Sequence, residues 1–209
     1  MSAAAGKPDL DEIAARFAKH APKLDDSDRK MSAAVALVLR ERSGEVEALL
    51  IRRAEHDGDP WSGDLAFPGG RIDPEDAGAR QAAERETLEE LELDLSCASP
   101  IGQLSDVLGH AESIRVSGFV YSIEGDPKLV PNYEVREAFW SPLSHFTDPE
   151  RQEEREFGYL DQSMPLPCVR LLKDQRAPVL WGITYKFMDD FMKIIGRPIP
   201  YMPWEENDL

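Results

Sequence analysis

A layered α/β domain is the fold class this sequence predicts, and three observations predict it. Short apolar, β-branched runs flank a central acidic helix, a second long amphipathic helix follows near the C-terminus, and no internal repeat breaks the order. With 209 residues the chain holds one sizeable domain or two small ones. The pattern divides it into a helix and linker over 1–30, a main domain over 31–196 and a tail over 197–209.

Residues 9–21 read as an amphipathic helix with Leu10, Ile13, Ala14, Phe17 and Ala18 on one side and Pro22 as its stop, packing on the domain or on a second subunit. Residues 23–30 form a polar linker. The runs 31–39 and 46–52 make a hairpin turned at Ser43-Gly44. Arg52 and Arg53 close its second strand and lead into AEHDGDPWSGD, a loop made irregular by Gly58, Pro60 and Gly63. Trp61 in that loop is a large side chain that wants a partner, so it either lines a ligand site or plugs the core beneath.

Beyond the central helix, 101–108 and 113–123 read as strands with Gly109 and His110 between them. The run PNYEVREAFWSPLSHF follows. The charged stretch 148–162 reads as a surface loop, 166–172 as a strand and 173–178 as a turn. Trp181, Thr184, Phe187, Met188, Phe191, Met192 and Ile195 then recur at helical spacing, a core or dimer stripe stopped by Gly196 and Pro198. The tail 200–209 is loose by composition, though Trp204 calls for a docking place.

A net charge of −16 argues against a nucleic-acid backbone or an anionic membrane as a general partner. It leaves room for a small phosphorylated ligand wherever a cation and a few arginines dominate locally. Residues 1–6 lack a basic stretch followed by an apolar one, and no later run approaches a membrane span, so a soluble cytoplasmic protein is expected. Cys97 and Cys168 match no zinc or redox spacing and read as core thiols.

The most informative stretch is FPGGRIDPEDAGARQAAERETLEELEL, residues 67–93. It opens in a Pro-Gly-Gly turn, crosses an acidic loop and enters a helix. At about 100° per residue, Glu86, Glu89 and Glu90 share one helix face. Such like charges repel unless a cation intervenes. Oxygen ligands without Cys or His select Mg²⁺, Mn²⁺ or Ca²⁺ over zinc. Ala79, Ala82 and Ala83 lie on the same side, small enough to let the Gly69-Gly70 backbone approach, with Leu88 and Leu91 pointing the other way.

With Arg85 before Glu86 and the double glycine upstream, the segment resembles the Nudix box: a Gly, five residues, Glu, seven residues, then Arg-Glu, an apolar residue, any residue, Glu-Glu, any residue, Gly and an apolar residue. Gly70 matches the first Gly, Asp76 stands for the first Glu, and Arg85, Glu86, Glu89, Glu90 and Leu93 match the rest. There are three departures. One extra residue separates Asp76 from Arg85, Thr87 replaces an apolar residue, and Glu92 stands where a glycine ends the helix, so Glu92 adopts a left-handed conformation or the helix ends otherwise. The extra residue and FPGG are similar to the coenzyme A pyrophosphatase branch. Of that branch's upstream signature Leu49, Leu50, Arg53 and Ala54 match, but Gly58 stands in place of its second Arg and the loop is one residue longer.

The resemblance implies a Nudix-type α/β/α sandwich with a mixed β-sheet, covering about 31–195. It implies a Mg²⁺-dependent (Mn²⁺ possible in its place) pyrophosphohydrolase of a nucleoside diphosphate linked to another moiety. The alternatives are a coenzyme A diphosphatase and a nucleotide-sensing module without catalysis; a Ca²⁺-stabilised structural protein is a more distant one. Glu86, Glu89 and Glu90 are the implied metal ligands, while Asp76 either ligates through water or holds Arg85, the organiser. Arg53, Trp61, Gly69, Gly70 and Arg71 are the implied substrate contacts, and His110 either touches phosphate or is solvated. For the general base, Glu89 is weakened by a bound cation. Glu134, after the Pro131-Asn132 turn, is therefore expected to be the base or to position the water, with Glu137 as alternative unless it pairs with Arg136 or Arg115. A small-molecule nucleoside diphosphate derivative is the expected partner, with a homodimer possible.

Overall fold

The computed structural model describes residues 7–27, 31–56, 61–109, 114–159, 162–174 and 177–200. Helix α1 (Leu10–Phe17) is capped by Asp9, whose carboxylate accepts the Glu12 N–H at 2.7 Å. It ends before the expected stop at Pro22, because the N–H groups of Lys19 and His20 bond the carbonyls of Arg16 and Phe17 and tighten the last turn. Ile13 and Phe17 are buried, so α1 packs on the domain. A Cβ at Gly102 would come within 2.7 Å of the Phe17 ring, which is why a glycine floors that seat.

Strands β1 (Met31–Arg42) and β2 (Glu45–Arg53) form the expected hairpin, each longer than the apolar run alone. The extra rungs are charged and paired, Arg40 bridging Glu47 at 2.7 Å. Ser43 and Gly44 take φ of 54° and 73°, the two positive values a two-residue turn of this hand requires. The strands pair only from Leu39 to Arg42 and then diverge. Into the fork go β3 (Leu65–Ala66) on β2 and β4 (Gly69–Arg71) on β1. Phe67-Pro68 joins the two, so FPGG is wedged between the two halves of the opened hairpin.

Helix α2 (Ala79–Leu91) follows, then β5 (Ser99–Gln103), β6 (Val107–Gly109), β7 (Ile114–Ser122) and β8 (Val135–Pro142). Strand β7 runs parallel to β1, and the other pairings are antiparallel, giving a mixed sheet of eight strands. The short helix α3 (Ser144–Thr147) leads to a separate hairpin, β9 (Gln152–Tyr159) and β10 (Gln162–Val169), before α4 (Gly182–Ile194).

Alternation along the central strands divides the core. Leu37, Leu39, Ala48 and Leu50 face one side with Phe187, Met188, Phe191, Met192 and Ile195. Ala34, Ala36, Val38, Leu49 and Ile51 face the other with Ala82, Ala83 and Leu91. The expected α/β/α arrangement follows, and the Met and aromatic stripe of α4 is core. That helix ends in a Schellman motif: Gly196 at φ 73° donates to the Lys193 carbonyl and Arg197 to that of Met192.

Several expectations are corrected. The run 101–108 is two strands, because Ser105 and Asp106 leave the ladder, their N–H groups bonding Asp190 and the Lys23 carbonyl; the Asp106 carboxylate accepts from Ser117 and from the backbone of Asp25. The stretch 148–162 is not a loop from Gln152 on. Glu153 reaches Arg155 on the same strand at 2.7 Å and Arg170, just past β10, at 2.6 Å. Accordingly the strand expected over 166–172 begins at Gln162. Cys168 is buried but Cys97 is exposed, since Leu95 takes the core position of that short turn. Leu91 is fully buried beside Ala82 and Ala83, so only Leu88 points outward. His110, Gly58, Pro60 and residues 201–209 lie outside the described residues. No helix among the described residues is long and apolar enough to cross a membrane.

Candidate active site

The site is built where α2 passes over β4. A Cβ on Gly70 would lie 2.4 Å from the Glu86 carboxyl carbon, so the missing side chain is the space that Glu86 fills. Gly69, at φ 148°, has the Ala34 carbonyl and Val35 where its Cβ would be, and its N–H donates to Glu90 Oε2 at 2.9 Å. The double glycine thus serves the two carboxylates directly. The alanines of α2 pack instead on β1.

Arg85 organises the outer half. Its Nε and Nη2 bind the two oxygens of Asp76, each at 3.0 Å, and Nη2 also donates to the Arg71 carbonyl at 3.1 Å. Its Nη1 reaches Glu86 Oε1 at 3.0 Å and Glu89 Oε2 at 3.3 Å. The Arg85 bond holds the Asp76 carboxyl below the usual carboxylate range. Asp76 is therefore committed to Arg85.

Glu90 is only 2% exposed. Burial pushes its carboxyl up to about 8; the Gly69 N–H opposes the rise, the charges of Glu86 and Glu134 add to it, and that of Arg53 lessens it. Burial likewise raises Glu86, against the pull of Arg85 and with the push of Glu89 and Glu134. Thr87, at the position that departs from the box, is buried with its hydroxyl donating to the Ala83 carbonyl at 2.7 Å. Glu92 does end the helix left-handed, at φ 52°.

Glu134 arrives from the far end of the sheet. The last carbonyls of α2 lack helical partners; that of Leu91 takes the Val130 N–H and that of Glu90 the Asn132 N–H, both at 2.9 Å. The Asn132 side chain then accepts the Glu134 N–H at 2.8 Å, and the Glu134 carbonyl accepts from Ala54 at 2.7 Å. The sequence marks Pro131-Asn132 as a turn, but not the Asn132 side chain as the tie that holds Glu134.

The remaining expected residues are dispersed. Glu137 is exposed on β8 opposite Arg52, which it pairs with at 3.7 Å, and not with Arg136 or Arg115, whose partners are Glu55 and the Asp25 carbonyl. Arg71 is exposed and Trp61 is 41% exposed, so Trp61 does not plug the core. Among the described residues no three acidic, His or Cys side chains are already drawn together as a cation cage. The donor set nonetheless fits a hard divalent ion: oxygen ligands only, one carboxylate buried beside others of like charge, and a glycine cradle that keeps Glu86 in place.

A family profile described as NUDIX domain matches residues 29–161. The chain is 38% identical over 180 residues to an uncharacterized Nudix hydrolase, NudL, of Enterobacter sp. (strain 638), covering 84% of this chain and 85% of that one. It is 31% identical over 180 residues to the mitochondrial coenzyme A diphosphatase NUDT8 of Homo sapiens, covering 84% and 73%. Two Schizosaccharomyces pombe relatives are matched over only 34% and 46% of their own length, so the chain spans less than half of each. The crystal structure of a MutT/nudix family protein from Enterococcus faecalis superposes with a TM-score of 0.50 at 15% identity, covering 91% of this chain and 68% of that one, a likeness of fold. With the box residues gathered over a glycine turn in a mixed sheet, and a matching profile across more than half its length, the chain belongs to the Nudix hydrolase family.

Proposed function

We propose that the chain hydrolyses the diphosphate of a nucleoside diphosphate linked to another moiety, with Mg²⁺ or Mn²⁺ as cofactor. The observation that supports this best is the seating of Glu86 against Gly70 and of Glu90 against the Gly69 N–H, two carboxylates that also feel the charge of Glu134 and whose repulsion a cation would relieve. Glu86, Glu89 and Glu90 would hold the ion, which supplies neutralisation of the diphosphate oxygens and a lowered pKa for water. Arg85, fastened to Asp76, orients Glu86 and Glu89. Glu134 takes the proton from the attacking water or positions it, since it comes from outside the helix that carries the ligands. Arg53, whose charge lowers the Glu90 pKa, would contact the substrate, as would Trp61, exposed on the loop that follows.

Coenzyme A is the second reading, favoured by FPGG and by the likeness to the NUDT8 diphosphatase. Gly58, in place of the signature arginine, speaks against it by removing a partner for the 3′-phosphate. A panel of diphosphates assayed with Mg²⁺ decides. A nucleoside diphosphate derivative is expected to be cleaved at least as well as coenzyme A. A preference for coenzyme A of ~100-fold, about 2.7 kcal/mol of transition-state binding, would overturn the first reading in favour of the second. Nucleotide binding with no product from any diphosphate would make the chain a sensing module.

A further inference from the structure

Tyr133 stands between Asn132 and Glu134 and is 78% exposed. Its backbone is held on both sides, by Asn132 bonding the end of α2 and by Glu134 bonding Ala54, yet its ring lies in solvent. A large ring displayed on a pinned segment beside the site is open to a ligand. His56 approaches it edge-on, ring centroids 6.5 Å apart and planes at 80°. His56 is itself secured, its N–H bonded to Ser62 Oγ at 2.8 Å, while the neighbouring Glu55 pairs with Arg136 at 2.9 Å and ties the two segments together.

We propose that Tyr133, flanked by His56, is the seat for the aromatic base of the nucleotide, next to the carboxylates that take its diphosphate. The inference rests on the function proposed above and names the part of the substrate recognised. An edge-on neighbour covers one flank of the phenol ring and leaves a face for stacking. The phenol hydroxyl donates to the Glu134 carboxylate, and that bond, with the charges of Glu134 and Glu89, raises its pKa. A further phosphate would be repelled there. A neutral planar base is not, and its amino groups have acceptors at hand.

The experiment is equilibrium titration of ADP and, separately, of inorganic pyrophosphate into the full chain with Mg²⁺, comparing wild type, Tyr133→Ala and Tyr133→Phe. Stacking on one aromatic ring corresponds to roughly 10- to 100-fold in affinity. Tyr133→Ala is expected to weaken ADP by that factor and to leave pyrophosphate unchanged, while Tyr133→Phe keeps ADP affinity. Equal loss for both ligands, loss for neither, or loss in Tyr133→Phe as large as in Tyr133→Ala overturns the seat, as does wild type that fails to bind ADP. Hydrolysis is scored apart. Failure of wild type to cleave any diphosphate would overturn the enzymatic reading while the ADP and pyrophosphate contrast still decides the seat.

Discussion

Helices α2 and α4 are each 13 residues long and cover opposite faces of one sheet, but they are held by different forces. Helix α4 buries Phe187, Met188, Phe191 and Met192, and hydrophobic burial accounts for its place. Helix α2 buries alanines, Thr87, the carboxylate of Glu90 and a single large apolar side chain, Leu91, and is fixed by Arg85 to the acidic loop and by Glu90 to Gly69. A helix that carries a reactive face gives up apolar anchorage and recovers it through polar ties.

The contrast can be broken by substitution. The largest effect is expected at Glu134, the residue outside both helices: Glu134→Gln should lower kcat by roughly 10² to 10⁴. Mg²⁺ affinity, read by titration, should stay nearly constant. Collapse of both would make Glu134 a ligand, and no change in either would move the base onto α2.

Next in size, Glu90→Gln keeps the shape of a buried side chain and removes its charge, so hydrolysis should fall about 10²-fold with the fold intact. Phe191→Ala on α4 should do the reverse, costing about 3–5 kcal/mol of unfolding free energy by denaturant titration while the folded fraction keeps its turnover number. Near-native activity in Glu90→Gln, or a stability loss there matching that of Phe191→Ala, would erase the distinction between the helices.

The smallest effect is a pH dependence that sharpens it. The Glu90 carboxyl lies at about 8 in the folded protein against 4.5 ordinarily, so between these values the folded state keeps a proton that the unfolded state has released. The resulting stabilisation is complete below about 4.5 and lost as pH rises through about 8. Melting temperatures taken with a chelator should therefore decline across that window. Added Mg²⁺ should raise them most at the alkaline end, where the carboxylate is free to bind it. Glu90→Gln should flatten both trends. A profile of the native protein that is flat without metal would show Glu90 to be ionised in the cluster.

By itself the sequence determined what depends on local spacing. Glu86, Glu89 and Glu90 fall on one face because the helical period is fixed, the Ser43-Gly44 turn needs positive φ, and the stripe ending at Gly196 makes a buried, sharply stopped helix. The box resemblance was enough for the family. Tertiary structure decided what depends on distant segments meeting. Leu91 turned inward because the sheet lies there, and 152–159 became a strand because β10 pairs with it and Glu153 meets Arg155 on its own strand and Arg170 just past the facing one. Glu137 found Arg52 across a ladder, and Asn132 brought Glu134 to Glu90 through the open carbonyls of α2. The fork between β1 and β2 decided where FPGG goes, and with it which carboxylate each glycine serves. Periodicity carries the first kind of information along the chain; the second exists only once backbone groups far apart in sequence have had to find partners.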